Sequence, residues 1–203
     1  MEGNYMIVMN FGNNILDGNA LKKVAAIIAG YHDGGEKIVV TVPKGVEKTD
    51  ILRQLLTAIG IPYAYIDMRQ TEETASGLII SERVKNTIQR HIDEAQINNV
   101  LPIIAFAASS PYETMAALVA SSLDAKELWL WSDIDGIYTD DPEKNPHAEV
   151  FALITYEEAY KMAREGKMGL DDRTLMPMKE KNILLRFKNA LHPDHMGTMI
   201  HEI

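Results

Sequence analysis

The chain has 203 residues, 46% hydrophobic and 24% charged, the balance of an ordinary globular protein large enough to bury a sizeable core. Its 29 acidic and 20 basic side chains give a formal charge of -9, which excludes a general binder of nucleic acid or of anionic membranes, since both require a net basic surface. There is no cysteine, so a disulfide framework and a thiolate metal site are excluded too.

The N-terminus, MEGNYMIVMNFGNN, has no cationic lead and no apolar run of signal-peptide length. No segment approaches the roughly 20 apolar residues that span a bilayer. The expectation is a cytoplasmic protein.

In chain order, residues 5–9 predict a strand. Residues 16–29 predict a helix, with Leu21, Val24, Ala25 and Ile28 at helical spacing. Residues 37–42 (KIVVTV) are nearly continuous in apolar and β-branched side chains, as in a sheet buried on both faces. A helix over 49–59, a strand over 62–66 and a polar loop over 69–76 (RQTEETAS) follow. Residues 81–97 predict a long helix with Val84, Ile88 and Ile92 on one stripe, and 101–106 a strand. Residues 110–113 (SPYE) read as a capping box, with proline at the first helical position, opening a helix to 123. Strands over 127–131 and 150–154, helices from Tyr156 and from about Asp172, and strands over 183–187 and 197–203 complete the pattern.

Strands separated by helices imply right-handed crossovers, hence an α/β fold with three αβα layers and a mostly parallel sheet. No repeat or linker divides the chain. A single domain over 1–203 is expected, with residues 1–125 and 126–203 as two lobes of one sheet. Ligands of such sheets sit beyond the carboxyl ends of the strands, which singles out the loops after Met9, Val42 and Trp131.

The most informative of these reads WSDIDGIYTDDP, residues 131–142. Two readings stand. In one, the carboxylates accept from sugar hydroxyls and Tyr138 packs on a ribose or base. In the other, Asp133, Asp135 and Asp140 simply cap backbone amides in a turn-rich loop. Lys44-Gly45 divides in the same way, between a phosphate contact and a plain turn before a helix. The G-x-x-x-x-G-K spacing of a Walker loop is absent. The six histidines show no metal-ligand spacing, so no metal site is expected from protein ligands alone.

This loop resembles the W-T-D-V-D-G-V-Y-T-A-D-P segment at the nucleotide site of aspartokinases. The aspartokinase elements I-S-Y-x-E-A, R-T, N-I-P-L-R-V-K-N and P-x-x-x-G-T-x-I are similar to residues 154–159, 173–174, 182–189 (NILLRFKN) and 193–200 (PDHMGTMI). The chain is therefore identified as a member of the amino acid kinase family, aspartokinase-like, with the amino acid (carbamate) kinase-like fold. The N-terminal half matches more loosely. The K-F-G-G strand end of the family is NFGN here, with Asn10 in place of the lysine, followed by Phe11 and Gly12. The G-R-G-G-S-D segment is replaced by ASSPYE, with Glu113 where the aspartate would stand. The arginine after D-P is Glu143, and Met168 stands in register with a family lysine.

The resemblance implies that ATP or ADP docks at Ser132, Asp133, Gly136, Tyr138 and Asp141, with Lys144 and Lys167 as substitute cations and Mg²⁺ accompanying the nucleotide. Asn10, Gly12 and Lys44 are the candidates on the catalytic side. The implied reaction is ATP-dependent phosphoryl transfer to a carboxylate of an amino acid such as aspartate. The alternative is a catalytically inactive pseudokinase, acting as a nucleotide-sensing or structural partner subunit. A homodimer without a regulatory ACT domain is the further expectation.

Overall fold

The structure is a computed structural model that describes residues 5–12, 15, 18–68, 72–74, 77–107 and 111–202. In chain order the elements are β1 (Met6–Phe11), α1 (Gly18–Asp33), β2 (Lys37–Lys44), α2 (Glu47–Ala58), β3 (Tyr63–Met68), β4 (Glu72–Thr74), β5 (Gly77–Ile79), α3 (Glu82–Ile97), β6 (Leu101–Ala107), α4 (Tyr112–Ser122), β7 (Glu127–Ser132), β8 (Leu153–Ile154), α5 (Tyr156–Arg164), α6 (Asp172–Glu180), β9 (Leu184–Asn189) and β10 (Thr198–Ile200).

One eight-stranded sheet runs β3-β6-β2-β1-β7-β9-β10-β8. Strands β3 through β9 in that order are mutually parallel, and β10 joins β9 antiparallel. The pairing of β1 with β7 carries the sheet across both halves of the sequence.

The period-2 alternation of strand side chains divides the apolar residues between two cores. Ile7, Met9 and Phe11 of β1 face Leu21, Val24 and Ile28 of α1, together with Leu52 and Leu56 of α2. Met6 and Val8 face the opposite way, into a core shared with Ile88 and Ile92 of α3, most of α4, and Leu175 and Met178 of α6. Both faces are covered, which is why β2 and β6 read as unbroken apolar runs. Helix α4 buries Met115, Ala116, Ala117, Val119 and Ala120, apolar nearly all round as a helix between layers must be.

Several local expectations need correction. The polar stretch 69–76 is not wholly loop, because β4 lies within it and pairs antiparallel with β5 as a hairpin. The expected strand over 150–154 is reduced to β8. Its first part leaves the sheet to pair with the loop after β7, where Val150 bridges Tyr138 and Phe151 N donates to Ile137 O at 2.9 Å. The capping box placed at SPYE rests on Ser110, which lies outside the described residues. Pro111 stands at the N-cap of α4, not at the first helical position, and makes no side-chain cap bond. A capping box forms instead at α5, where Glu158 N donates to Thr155 Oγ1 and Thr155 N donates to Glu158 Oε2. No helix of the described residues is long and apolar enough to cross a membrane.

Candidate functional site

The carboxyl ends of the parallel strands form one rim. Phe11 is in register with Trp131, Lys44 with Ala107, and Ser132 with Asn189. The Phe11 and Trp131 rings stack with centroids 5.9 Å apart and an 8° interplanar angle, so the loops after β1 and β7 start side by side.

The loop after β7 is strapped down at several points. Ala190 N donates to Ser132 O at 2.8 Å. The buried Asn189 side chain donates to Asp133 O at 3.2 Å and to Asp135 Oδ1 at 2.8 Å, while its own oxygen accepts from Leu191 N at 2.8 Å. His192 Nδ1 lies 3.2 Å from the same Asp135 oxygen. These contacts, the Asn189 amide first and His192 next, hold the Asp135 carboxyl below the usual carboxylate range. One turn further on, Ile137 N donates to Thr198 Oγ1 at 2.9 Å, fixing the loop to β10. Gly136 passes so close to Thr198 and Val150 that no side chain fits there.

The acidic pair beyond Tyr138 is bonded within its own turn. Asp140 accepts from Asn145 Nδ2 at 3.0 Å and from Asp141 N at 2.9 Å. Asp141 accepts from Glu143 N at 3.0 Å and pairs with Lys144 Nζ at 2.7 Å. Asn145 and Lys144 respectively keep these two carboxyls below the ordinary range, and Asp141 raises Lys144 in return. For Asp140 the amide-capping reading is thus realised, whereas the Asp135 carboxylate meets the Asn189 amide and the His192 ring.

Between this loop and the turn at residues 166–169, which joins α5 to α6, lies a cavity of about 590 Å³. Its walls include Ile134, Gly136, Tyr138, Asp140 and Asp141 on one side, Lys167, Met168 and Gly169 on the other, and Phe187 of β9. Of the residues expected at a nucleotide site, Gly136, Tyr138, Asp141 and Lys167 converge on this one cavity. Ser132 and Asp133 stand at the strand end below it, with Ser132 Oγ turned back onto the Ile134 backbone. Lys144 extends into solvent beside Asp141, and Lys167 pairs with Glu165 at 2.8 Å, which raises its pKa.

On the other side of β1, Asn10 is buried and donates from Nδ2 to Thr41 Oγ1 at 3.0 Å, inside the sheet. Gly12 is buried just past the end of β1. Lys44 pairs with Asp67 of β3 at 2.6 Å.

Chemically, the cavity suits an aromatic base with a sugar. Its volume lies within the usual range of small-ligand pockets, its walls mix apolar and aromatic groups with the carboxylates of Asp140, Asp141 and Glu143, and carboxylates accept from hydroxyls. Among the described residues no group of three or more His, Asp or Glu side chains converges as a metal cage. Mg²⁺ in phosphoryl-transfer sites takes one or two carboxylates together with substrate phosphates and water, so a dedicated cage is not what that ion needs. Asn189, Thr198 and Phe187 were not singled out from the sequence, and Met168 only as the residue in register with a family lysine. Asn189 and Thr198 act through non-local hydrogen bonds, and Phe187 lies within a strand.

The amino acid kinase family model matches residues 46–189. A bifunctional aspartokinase/homoserine dehydrogenase from Buchnera aphidicola is 31% identical over 134 residues, covering 61% of this chain and 16% of that protein. An aspartokinase from Thermus thermophilus is 24% identical over 242 residues, covering 98% of this chain and 60% of that protein. Among solved structures, Escherichia coli aspartokinase III in complex with aspartate and ADP superposes with a TM-score of 0.78 at 17% identity, covering 97% of this chain and 64% of that one. UMP kinase from Ureaplasma parvum superposes with a TM-score of 0.69 at 16% identity, covering 98% and 99%. The chain thus spans well under two thirds of the Buchnera protein and somewhat under two thirds of the Thermus one. With a family match across most of its length and aspartokinases among its relatives in both sequence and fold, the chain belongs to the amino acid kinase family as an aspartokinase-like member.

Proposed function

We propose that this chain binds an adenine nucleotide in the cavity between the loop after β7 and the turn at 166–169, with the phosphates directed toward the ends of β1 and β2. The observation that carries this reading is the convergence of Gly136, Tyr138, Asp141 and Lys167 on one cavity at the rim of the sheet. In this arrangement Tyr138, Met168 and Phe187 pack on the base, and Asp140 and Asp141 accept from the ribose. The stacked Phe11 and Trp131 keep the two loops in fixed relation. The E. coli relative with aspartate and ADP suggests the same classes of ligand here. The reaction is then transfer of the γ-phosphoryl of ATP to a carboxylate of an amino acid such as aspartate. Mg²⁺, when bound, supplies neutralisation of charge on the phosphates.

A second reading, nucleotide binding without transfer, is favoured by the state of the cations. Lys44, Lys144 and Lys167 are each tied to a carboxylate of this chain, and Asn10 occupies the place of the family lysine. Loss of a single stabiliser of transition-state charge costs about 10²–10³ in rate.

Calorimetry with ADP and with ATP plus Mg²⁺, followed by an ADP-release assay with aspartate and related carboxylates, separates the readings. Heat with turnover supports the kinase, and heat without turnover supports the binding module. No heat at millimolar nucleotide refutes both.

A further inference from the structure

We infer that Asp67 is an internal competitor for Lys44, holding the cation that a ligand oxyanion at the sheet rim must recruit. The inference rests on the nucleotide reading above and goes beyond it by naming a contact that must break before the phosphate side of the site is complete. Lys44 is the last residue of β2, and Asp67 is the penultimate residue of β3. The strand between them is β6, whose Ala105 and Ala107 pair in register with Asp67 and Lys44 respectively. Small alanines at both positions let the two side chains meet across the strand end, where Nζ and Oδ2 are 2.6 Å apart. Neither side chain is sealed from water, with 38% and 24% exposed, so an arriving anion has access to the pair.

Only β1 separates β2 from β7 in the sheet. At about 4.8 Å per strand, the end of β2 lies about 10 Å from the end of β7, within reach of an extended triphosphate chain anchored in the cavity. Lys144 and Lys167 lie on the base-and-ribose side, in the loop after β7 and the turn at 166–169. Lys44 stands on the far side of β1, where the transferred group and its acceptor would meet. Asp67 offers that lysine a carboxylate, the same group that an amino-acid acceptor presents. A phosphoryl oxygen or an acceptor carboxylate can therefore replace it one for one. The shared ligand chemistry is an oxyanion.

The test is a double-mutant cycle on the full chain: wild type, Asp67→Asn, Lys44→Met and both together. Each is titrated calorimetrically with adenosine, with ATP plus Mg²⁺, and with aspartate in the presence of ADP. Asp67→Asn is expected to tighten ATP or aspartate by about fivefold, the worth of a partly exposed ion pair, and to leave adenosine unchanged. Gain confined to ATP identifies the phosphate chain as the oxyanion, and gain confined to aspartate identifies the acceptor. In the Lys44→Met background the gain should vanish. Unchanged affinity for both anions, or an equal gain with Met at position 44, overturns the inference, since the second result is only the removal of a negative field. Adenosine failing to bind any variant overturns the cavity reading by itself, while the anion titrations still decide on Asp67. Thermal melts accompany each variant, and Asp67→Ser replaces the Asn variant should the latter be unfolded.

Discussion

Replacing Gly136 by alanine probes the construction of the loop after β7 directly. A Cβ at this position would sit 2.6 Å from Thr198 Oγ1, 2.7 Å from Val150 Cγ1 and 3.2 Å from Thr198 N, with the backbone at φ +151°. Thr198 is fully buried, and its hydroxyl is the acceptor for Ile137 N. The methyl cannot enter without pushing the loop off β10. Overpacking of this kind costs about 1–3 kcal/mol, and the disturbed hydrogen bond adds about 1 kcal/mol. For a chain of this size, about 2–4 kcal/mol corresponds to a fall in melting temperature of about 4–16 °C. Because Gly136 and Tyr138 both line the cavity, ADP affinity should fall with it. Differential scanning calorimetry and ADP titration measure the two effects. Trimming Thr198 to alanine in the same chain should recover part of the loss by removing the closest contact. An alanine variant that melts with the wild type and binds ADP equally well would refute the reasoning.

Gly197 is less forgiving. A Cβ there would lie 1.8 Å from the Phe187 carbonyl oxygen, at φ +72°, beside the Thr198–Phe187 pair of β9 and β10. Gly197→Ala should cost about 4 kcal/mol or more, visible as loss of soluble protein or of a cooperative melt. Asn189→Ala removes hydrogen bonds to the Asp133 carbonyl, to Asp135 and from Leu191 N; a stability loss of about 2–3 kcal/mol and weaker ADP binding are expected by thermal melting and calorimetry. Asp171 caps α6 and accepts from Arg173, which depresses its carboxyl from 3.8 to about 2. A lowered folded-state pKa contributes stability that is complete above about pH 4 and is lost as pH falls toward about 2. Asp171→Ala should therefore cost about 1 kcal/mol at neutral pH through the lost cap and should flatten the melting-temperature profile across that acid window. The carboxylate is partly exposed, so screening keeps the electrostatic share modest.

The layers of the fold were legible because burial imposes a pattern on them. The run KIVVTV has the length and β-branched content of a strand covered on both faces, and the stripe of Ile88 and Ile92 has the spacing of a helix face turned to a core. The hairpin of β4 and β5 was not legible, since its EET and GLI strands are too short and too polar on one side to show a period. The strand expected over 150–154 failed for a different reason. Val150 and Phe151 are apolar enough for a sheet, but their backbone partners are Tyr138 and Ile137 in the loop before them, a non-local choice that local pattern cannot express. The same limit applies at the site. Tyr138 and Asp141 could be singled out from the motif and Lys167 as a neighbour of the residue in register, yet only the resemblance, and no local pattern, put the 166–169 turn at the same site as the 134–141 loop. Nor did it show Lys44 reaching Asp67 across β6.

The measurement that bears most directly on the central claim is a crystal structure of the chain grown with saturating ADP. Electron density for the adenine between Tyr138 and Met168, with the ribose against Asp140 or Asp141 and the phosphates leading toward Gly12, is the expected result. ADP bound elsewhere on the chain, or a cavity still filled only by solvent at saturation, would contradict it.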